Sequence, residues 1–261
     1  MLFCFLYGCF LCNAQETLRS TDDPRTTTLK KQHTPWSDFL PGSWGLYRTV
    51  TQTHEENSVI TNVTHTKSTL ESVEDNRYLL RQETSAAIGS QSFSLEPQLN
   101  HYDFYQQNFT ESAVIQVLSP ENLVIGRKQI PCLVCVSTQK TDSFVEETKI
   151  WYTPQVMPYV LKTESVRRSL ADNAVVNRKT FIVTETSALR PFGRLLATYK
   201  TQTVRNSNQH KTVTNSCYSC NVPGGLLREV SMEVDANNKL VSQTETKLLN
   251  YSLAVRSILP Q

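Results

Sequence analysis

The sequence predicts an all-β protein with few or no helices, a curved antiparallel meander sheet of half-barrel form built from repeated β-hairpins. Three observations carry this expectation. One pattern recurs three times: Pro41, Leu46 and Arg48 lead to Glu56-Asn57 and Val59-Ile60; Pro158, Leu161 and Lys162 lead to Asp172-Asn173 and Val175-Val176; Pro223, Leu226 and Arg228 lead to Asn237-Asn238 and Leu240-Val241. A strand, a tight Asn-bearing turn and a returning strand make a hairpin, because Asn tolerates the positive φ such turns need. Thr and Ser alternate with aliphatic residues over long stretches, which marks strands with one buried and one wet face. Amphipathic helix is nearly absent: the one good helical stretch, Ser187 to Ala197, is broken by Pro191 and Gly193.

Taken in order, Leu46–Thr53 reads as a strand and Val59–Leu70 as its return; Glu74-Asp75-Asn76 is a turn into Arg77–Thr84. Residues 85–112 crowd Phe93, Leu95, Leu99, Tyr102, Phe104, Tyr105 and Phe109 without period two, so a loop with a short helix across the sheet is expected there. Strands resume at Ala113–Leu118, Asn122–Gly126 and Ile130–Thr138. Val145–Tyr152 pairs with Tyr159–Val166 across a Thr153–Pro158 corner. Val175–Thr186, Leu195–Val204, Val213–Tyr218, Leu226–Val234 and Leu240–Leu253 complete about a dozen strands. Such a meander must close on itself or cover its edges.

The first residues concern compartment. Leu2 to Cys12 is an apolar run of roughly eleven residues, shorter than the roughly twenty a bilayer span requires. Cys12-Asn13-Ala14 follows, with small residues where a signal peptidase reads, so residues 1–14 are expected to be a signal peptide of a secreted or periplasmic protein. No Lys or Arg precedes the run, and lipid attachment at Cys9 or Cys12 is the alternative, although Tyr7 and Leu11 are bulky for a lipobox. Residues 15–35 are polar and Thr-rich, a flexible tether. Residues 36–261 are expected to form a single antiparallel β domain with internal hairpin repeats, long enough for a real core. No later segment is apolar enough to be transmembrane. A net charge of +2 gives no reason to invoke nucleic acid, and only 8 glycines argue against a phosphate-cradling loop.

The segments Gly126-Arg-Lys-Gln-Ile-Pro-Cys132, Thr148-Lys-Ile-Trp-Tyr-Thr-Pro154 and Pro158-Tyr-Val-Leu-Lys-Thr-Glu164, with Leu40-Pro-Gly-Ser-Trp-Gly-Leu-Tyr47 and Val222-Pro-Gly-Gly-Leu-Leu-Arg228, are informative together. They resemble a diffuse group of secreted bacterial β proteins with repeated W-x-x-P…P-x-x-x-K-x-E hairpins, distantly similar to lipoprotein-carrier half-barrels of the LolA/LolB type. The resemblance implies an open half-barrel whose concave face holds acyl chains. It transfers no functional residue to a numbered position.

Chemistry-bearing residues are few. Cys132, Cys135, Cys217 and Cys220 form two Cys-x-x-Cys pairs. Four thiolates can hold zinc, but the pairs lie far apart in sequence and lack knuckle glycines. In an extended strand Cys132 and Cys135 point to opposite faces about 10 Å apart, beyond disulfide reach unless the strand ends at Pro131. One or two structural disulfides are expected, one linking a 132/135 cysteine to a 217/220 cysteine; redox catalysis is the third option, though no helix follows either pair. His54 and His65 flank a predicted turn and can face each other across it; exposed polar strand positions are the plainer reading. Trp44, Tyr47, Trp151 and Tyr152 are candidates for a ligand-lining surface, with core packing as the competing reading. The sequons at Asn62, Asn108 and Asn250 fit chance in an Asn- and Thr-rich chain. No catalytic motif occurs, and no cofactor is expected.

The function expected is non-catalytic binding of a lipid or other apolar or amphiphilic ligand, or of an envelope protein. The alternatives are a structural or protein-interaction module and a thiol- or zinc-dependent enzyme.

Overall fold

The computed structural model describes residues 35–74, 77–88, 91–103, 114–207 and 209–254; the leader read over residues 1–14 and most of the tether lie outside them. Strands dominate. The first five are β1 (Trp44–His54), β2 (Val59–Val73), β3 (Arg77–Ile88), β4 (Gln91–Ser94) and β5 (Gln98–Asp103). The middle five are β6 (Val114–Ile125), β7 (Lys128–Lys140), β8 (Phe144–Tyr152), β9 (Val160–Ser169) and β10 (Val175–Leu189). The last four are β11 (Leu196–Ser207), β12 (His210–Tyr218), β13 (Leu226–Asp235) and β14 (Leu240–Ser252). One antiparallel sheet contains all of them, in the order β4-β3-β2-β1-β14-β13-β12-β11-β10-β9-β8-β7-β6, with β5 also on β3. It is a meander whose first strand is zipped to its last, open between the β4/β5 edge and β6: a curved, half-barrel-like sheet.

The three repeats form the hairpins β1–β2, β9–β10 and β13–β14. Asn173 (φ 57) and Asn238 (φ 61) take the left-handed conformation in their turns, where Asn costs least among residues with a side chain. Asp172 Oδ1 accepts the Ala174 N–H, and Asp235 Oδ1 accepts those of Asn237 and Lys239, so each turn backbone is satisfied locally.

One expectation is corrected. The stretch expected to be a loop with a helix instead continues β3 to Ile88 and adds β4 and β5, both paired to β3; residues 104–112 of it lie outside the described residues. Period two is hidden there because these are edge strands: Phe93, Leu95 and Leu99 are exposed, and Tyr102 is left to pack against Tyr78 and Leu80. The Ser187–Ala197 stretch is interrupted at Pro191 and Gly193 as expected: it is the end of β10, a 3₁₀ turn at Pro191–Gly193 and the start of β11.

Residues opposite one another in the ladders share a face, which sorts the sheet. Ser68, Ser137, Thr148, Thr201 and Ser216 are all buried and all fall on one face, the concave one. Hydroxyl pairs bridge neighbouring strands on it: Thr49–Thr246 at 3.0 Å, Thr66–Thr84 at 3.1 Å, Thr214–Ser231 at 2.9 Å and Thr148–Ser165 at 2.8 Å. Such pairs satisfy groups that would otherwise be costly to bury.

Among the described residues, the apolar clusters lie at one end of the strands. Ile130, Val134, Trp151, Leu161 and Val183 form one cluster, Trp36, Leu70, Tyr78 and Leu80 a second, and Leu196, Val222, Leu227 and Leu248 a third. The loop after β12 caps this end: the Tyr47 hydroxyl donates to Pro223 O at 3.0 Å. The result is a cup with a packed floor and a mouth at the hairpin tips.

Candidate functional site

A trough of about 410 Å³ opens on the concave face toward the mouth. Its charges come from Glu146 of β8, Arg167 of β9, Lys179 of β10 and Arg205 of β11. Ser165, Thr203, Thr212 and Thr214 line it with hydroxyls, and Asn177 adds an amide. The volume falls within the usual range of small-molecule sites, though the lining is far more polar than most.

Register builds this lining. Ser165 faces Lys179, Lys179 faces Arg205 and Arg205 faces Thr212, so four consecutive strands each place one hydrogen-bond donor at the same level. A register shift between Val175 and Asn177 sets this alignment, as bulges do where a strand must re-aim a side chain. Arg167 Nε donates to Glu146 Oε2 at 2.9 Å. Among the described residues neither Lys179 nor Arg205 forms an ion pair. The Asn177 Oδ1 is buried without a hydrogen-bond partner.

Moving from mouth to floor along each strand, polarity falls in step. On β10 the concave positions run Lys179, Phe181, Val183; on β9 they run Arg167, Ser165, Thr163; on β8 they run Glu146, Thr148, Ile150. Val183 and Leu161 are fully buried in a cluster against which Leu118 and Leu123 of β6 pack, and Ile150 is nearly as buried. The open part of the concavity is therefore polar, and the apolar part is already filled.

The aromatic candidates lie elsewhere. Tyr47 has concave parity but sits beneath the loop of Pro223, where burial, with a smaller contribution from Tyr218, pushes its phenol well above its ordinary range. Tyr152 is buried at the floor. Trp44 and Trp151 have the opposite parity and lie beside lysines: Lys67 Nζ is 5.2 Å from the Trp44 ring centroid, and Lys149 and Lys162 are 4.6 and 4.3 Å from that of Trp151, which is itself buried in the cluster of Leu161 and Val183. Trp151 Nε1 donates to Glu121 Oε2 at 2.7 Å, and hydrogen bonds from Lys149 and then Trp151 hold that carboxyl below its usual range. None of the four lines the trough.

The cysteines are free thiols, which corrects the expected disulfide. Cys132 and Cys135 are on β7, Cys217 is on β12 and Cys220 in the loop after it; β8 to β11 lie between the pairs. Cys132 and Cys135 are buried and, as expected of a strand, on opposite faces. Among the described residues no three His, Cys, Asp or Glu side chains gather as a metal site would require. Burial pushes the Cys132, Cys135 and Cys217 thiols up, the opposite of what a nucleophilic cysteine needs. Alkylation of native protein without reductant is expected to label Cys217 and Cys220 ahead of Cys132 and Cys135, and all four once denatured. Two or four cysteines protected in denatured protein would restore a disulfide. His54 pairs with Val59 and His65 with Arg48, so the two histidines do not face each other.

Sequence reasoning missed Lys179, Arg205 and Asn177, which sit in different strands and belong to no motif. The legible signal was the Thr-x-Thr alternation at Thr49-x-Thr51, Thr201-x-Thr203, Thr212-x-Thr214 and Thr244-x-Thr246, which announces a hydroxyl-lined face.

Fold and trough define an open β half-barrel with a polar concave site. No protein-family model matches the chain, and no curated protein matches it. Among solved structures it is similar to a candidate lipoprotein of Parabacteroides distasonis, at 12% identity and a TM-score of 0.35, over 84% of this chain and 99% of that one. It is also similar to a candidate outer-membrane lipoprotein-sorting domain from Vibrio parahaemolyticus, at 8% identity and a TM-score of 0.31, over 85% of this chain and 88% of that one. A candidate exported protein with a YmcC-like fold from Bacteroides fragilis matches at 8% identity and a TM-score of 0.31, over 82% of this chain and 98% of that one. Likeness at this level carries no argument about function, and the fold stands on the strand register itself.

Proposed function

We propose that the chain is an exported, non-catalytic binding protein whose trough takes an amphiphilic ligand by its polar part. The observation that carries this is the polarity gradient on the concave face, from charged mouth through hydroxyls to apolar floor, around an open volume of about 410 Å³. Hydroxyls and an amide orient a polar group, and Phe181, only partly buried beside the floor cluster, offers the first apolar contact for the attached hydrocarbon. The leader read in residues 1–14 supports export.

The test is calorimetric titration with two single-chain amphiphiles below their micelle concentrations, dodecyl maltoside and dodecyl phosphate. Saturable one-to-one binding of at least one is expected. Absence of saturable binding for both overturns the reading.

A second reading, a protein-interaction module, is favoured by the exposed apolar residues of the two sheet edges, Val117 and Val124 on β6 and Phe93 and Leu99 on β4 and β5. Sheet edges of this kind invite strand addition.

A further inference from the structure

We infer that the polar part of the ligand is an oxyanion, a phosphate fitting best, held between Lys179 and Arg205; this rests on the binding reading above. These two side chains are register partners on adjacent strands, β10 and β11. Like charges placed directly opposite destabilise a sheet, and a local rule broken without compensation inside the fold points to a site. The compensation is not supplied by neighbouring carboxylates. Glu146 is held by Arg167 Nε at 2.9 Å. Glu233, on the same face two strands from Arg205, accepts the Ser242 hydroxyl at 3.2 Å and lies 3.2 Å from His210 Nδ1.

The surroundings are donors. Ser165 and Thr212 flank the cation pair at the same level on the outer two of four strands. At the roughly 4.8 Å spacing of strands, the two cations can both reach the oxygens of one oxyanion. Lys supplies a compact charge and Arg a fork that matches two oxygens at once. One level toward the mouth, Asn177 carries an amide N–H donor for the same group or its ester oxygen, while its buried, unpartnered Oδ1 is left to accept from a hydroxyl of the ligand. Exposure of both cations makes the attraction sensitive to salt.

Wild type, Lys179→Gln and Arg205→Gln are titrated with dodecyl phosphate, dodecyl maltoside and inorganic phosphate. Dodecyl phosphate is expected to bind wild type more tightly than dodecyl maltoside, and each substitution to weaken it roughly tenfold while leaving dodecyl maltoside nearly unchanged. Inorganic phosphate competing with dodecyl phosphate would identify a free oxyanion as sufficient; dodecyl phosphate binding without such competition would identify a lipid-type headgroup. Either result supports the assignment. Equal affinity for the two amphiphiles, unchanged in the variants, overturns the oxyanion site and leaves the binding reading standing; no binding of either amphiphile removes both. Both variants relieve like-charge repulsion, so their melting temperatures are expected to match or exceed wild type. Lys179→Arg, which keeps the charge, is expected to retain most dodecyl phosphate binding; its failure to do so with the fold intact also counts against the site.

Discussion

Gly224→Ala is expected to cost about 2–4 kcal/mol of folding stability, read as a shift in the denaturant midpoint. Gly224 sits at φ +79, in the left-handed region, and a Cβ there would lie 2.6 Å from Tyr47 Oη and 3.1 Å from Trp36 Cζ2. Backbone strain accounts for about 1–2 kcal/mol. Displacing Tyr47 adds the loss of its hydrogen bond to Pro223, about 1 kcal/mol, and loosens the floor. Gly126 is the control: it has φ +60 but open space around its Cβ, so Gly126→Ala should show the strain component alone. If the two substitutions cost the same, the capping loop is not packed on Tyr47 as described.

Leu161→Ala is expected to lose about 2–5 kcal/mol, by removing part of a fully buried side chain from a cluster that can collapse only partially. In a chain of this size each kcal/mol corresponds to roughly 2–4 °C, so melting should fall by about 4–20 °C. Leu189, 39% exposed at the far end of β10, supplies the comparison, and Leu189→Ala should change little. A loss below about 1 kcal/mol at Leu161 would mean that the cluster is loose.

Much of the fold was legible because strand alternation and turn chemistry are local. Asn173 and Asn238 adopt the positive φ that their place in the repeats predicted. Residues 85–103 were not legible, since period two reports a buried face and β4 has none: all four of its residues are exposed. The candidate site was hardly legible. Aromatic residues drew attention as ligand-lining groups, yet Tyr47 and Tyr152 are floor and Trp151 is shielded by Lys149 and Lys162. The trough instead depends on which residues of separate strands fall opposite one another. A slip of a single residue in β10 would carry Lys179 to the other face and dissolve the site. That register is fixed by bulges and by long-range pairing, neither of which a linear pattern displays.

The one break in the meander bears on its shape. Consecutive strands are neighbours in the sheet from β1 to β4 and from β6 to β14, and β4 and β5 follow one another along the same edge of β3, whereas the passage from β5 to β6 joins opposite edges. Laid flat, those edges would stand about 58 Å apart, twelve steps of about 4.8 Å each. The covalent chain from Asp103 to Val114 reaches roughly 40 Å even when drawn out straight. A planar sheet of this connectivity is thus forbidden by the length of its own tether. The chain must roll its sheet until the two borders approach, so the concavity that holds the trough is imposed by an arithmetic of reach before any side chain contributes to it.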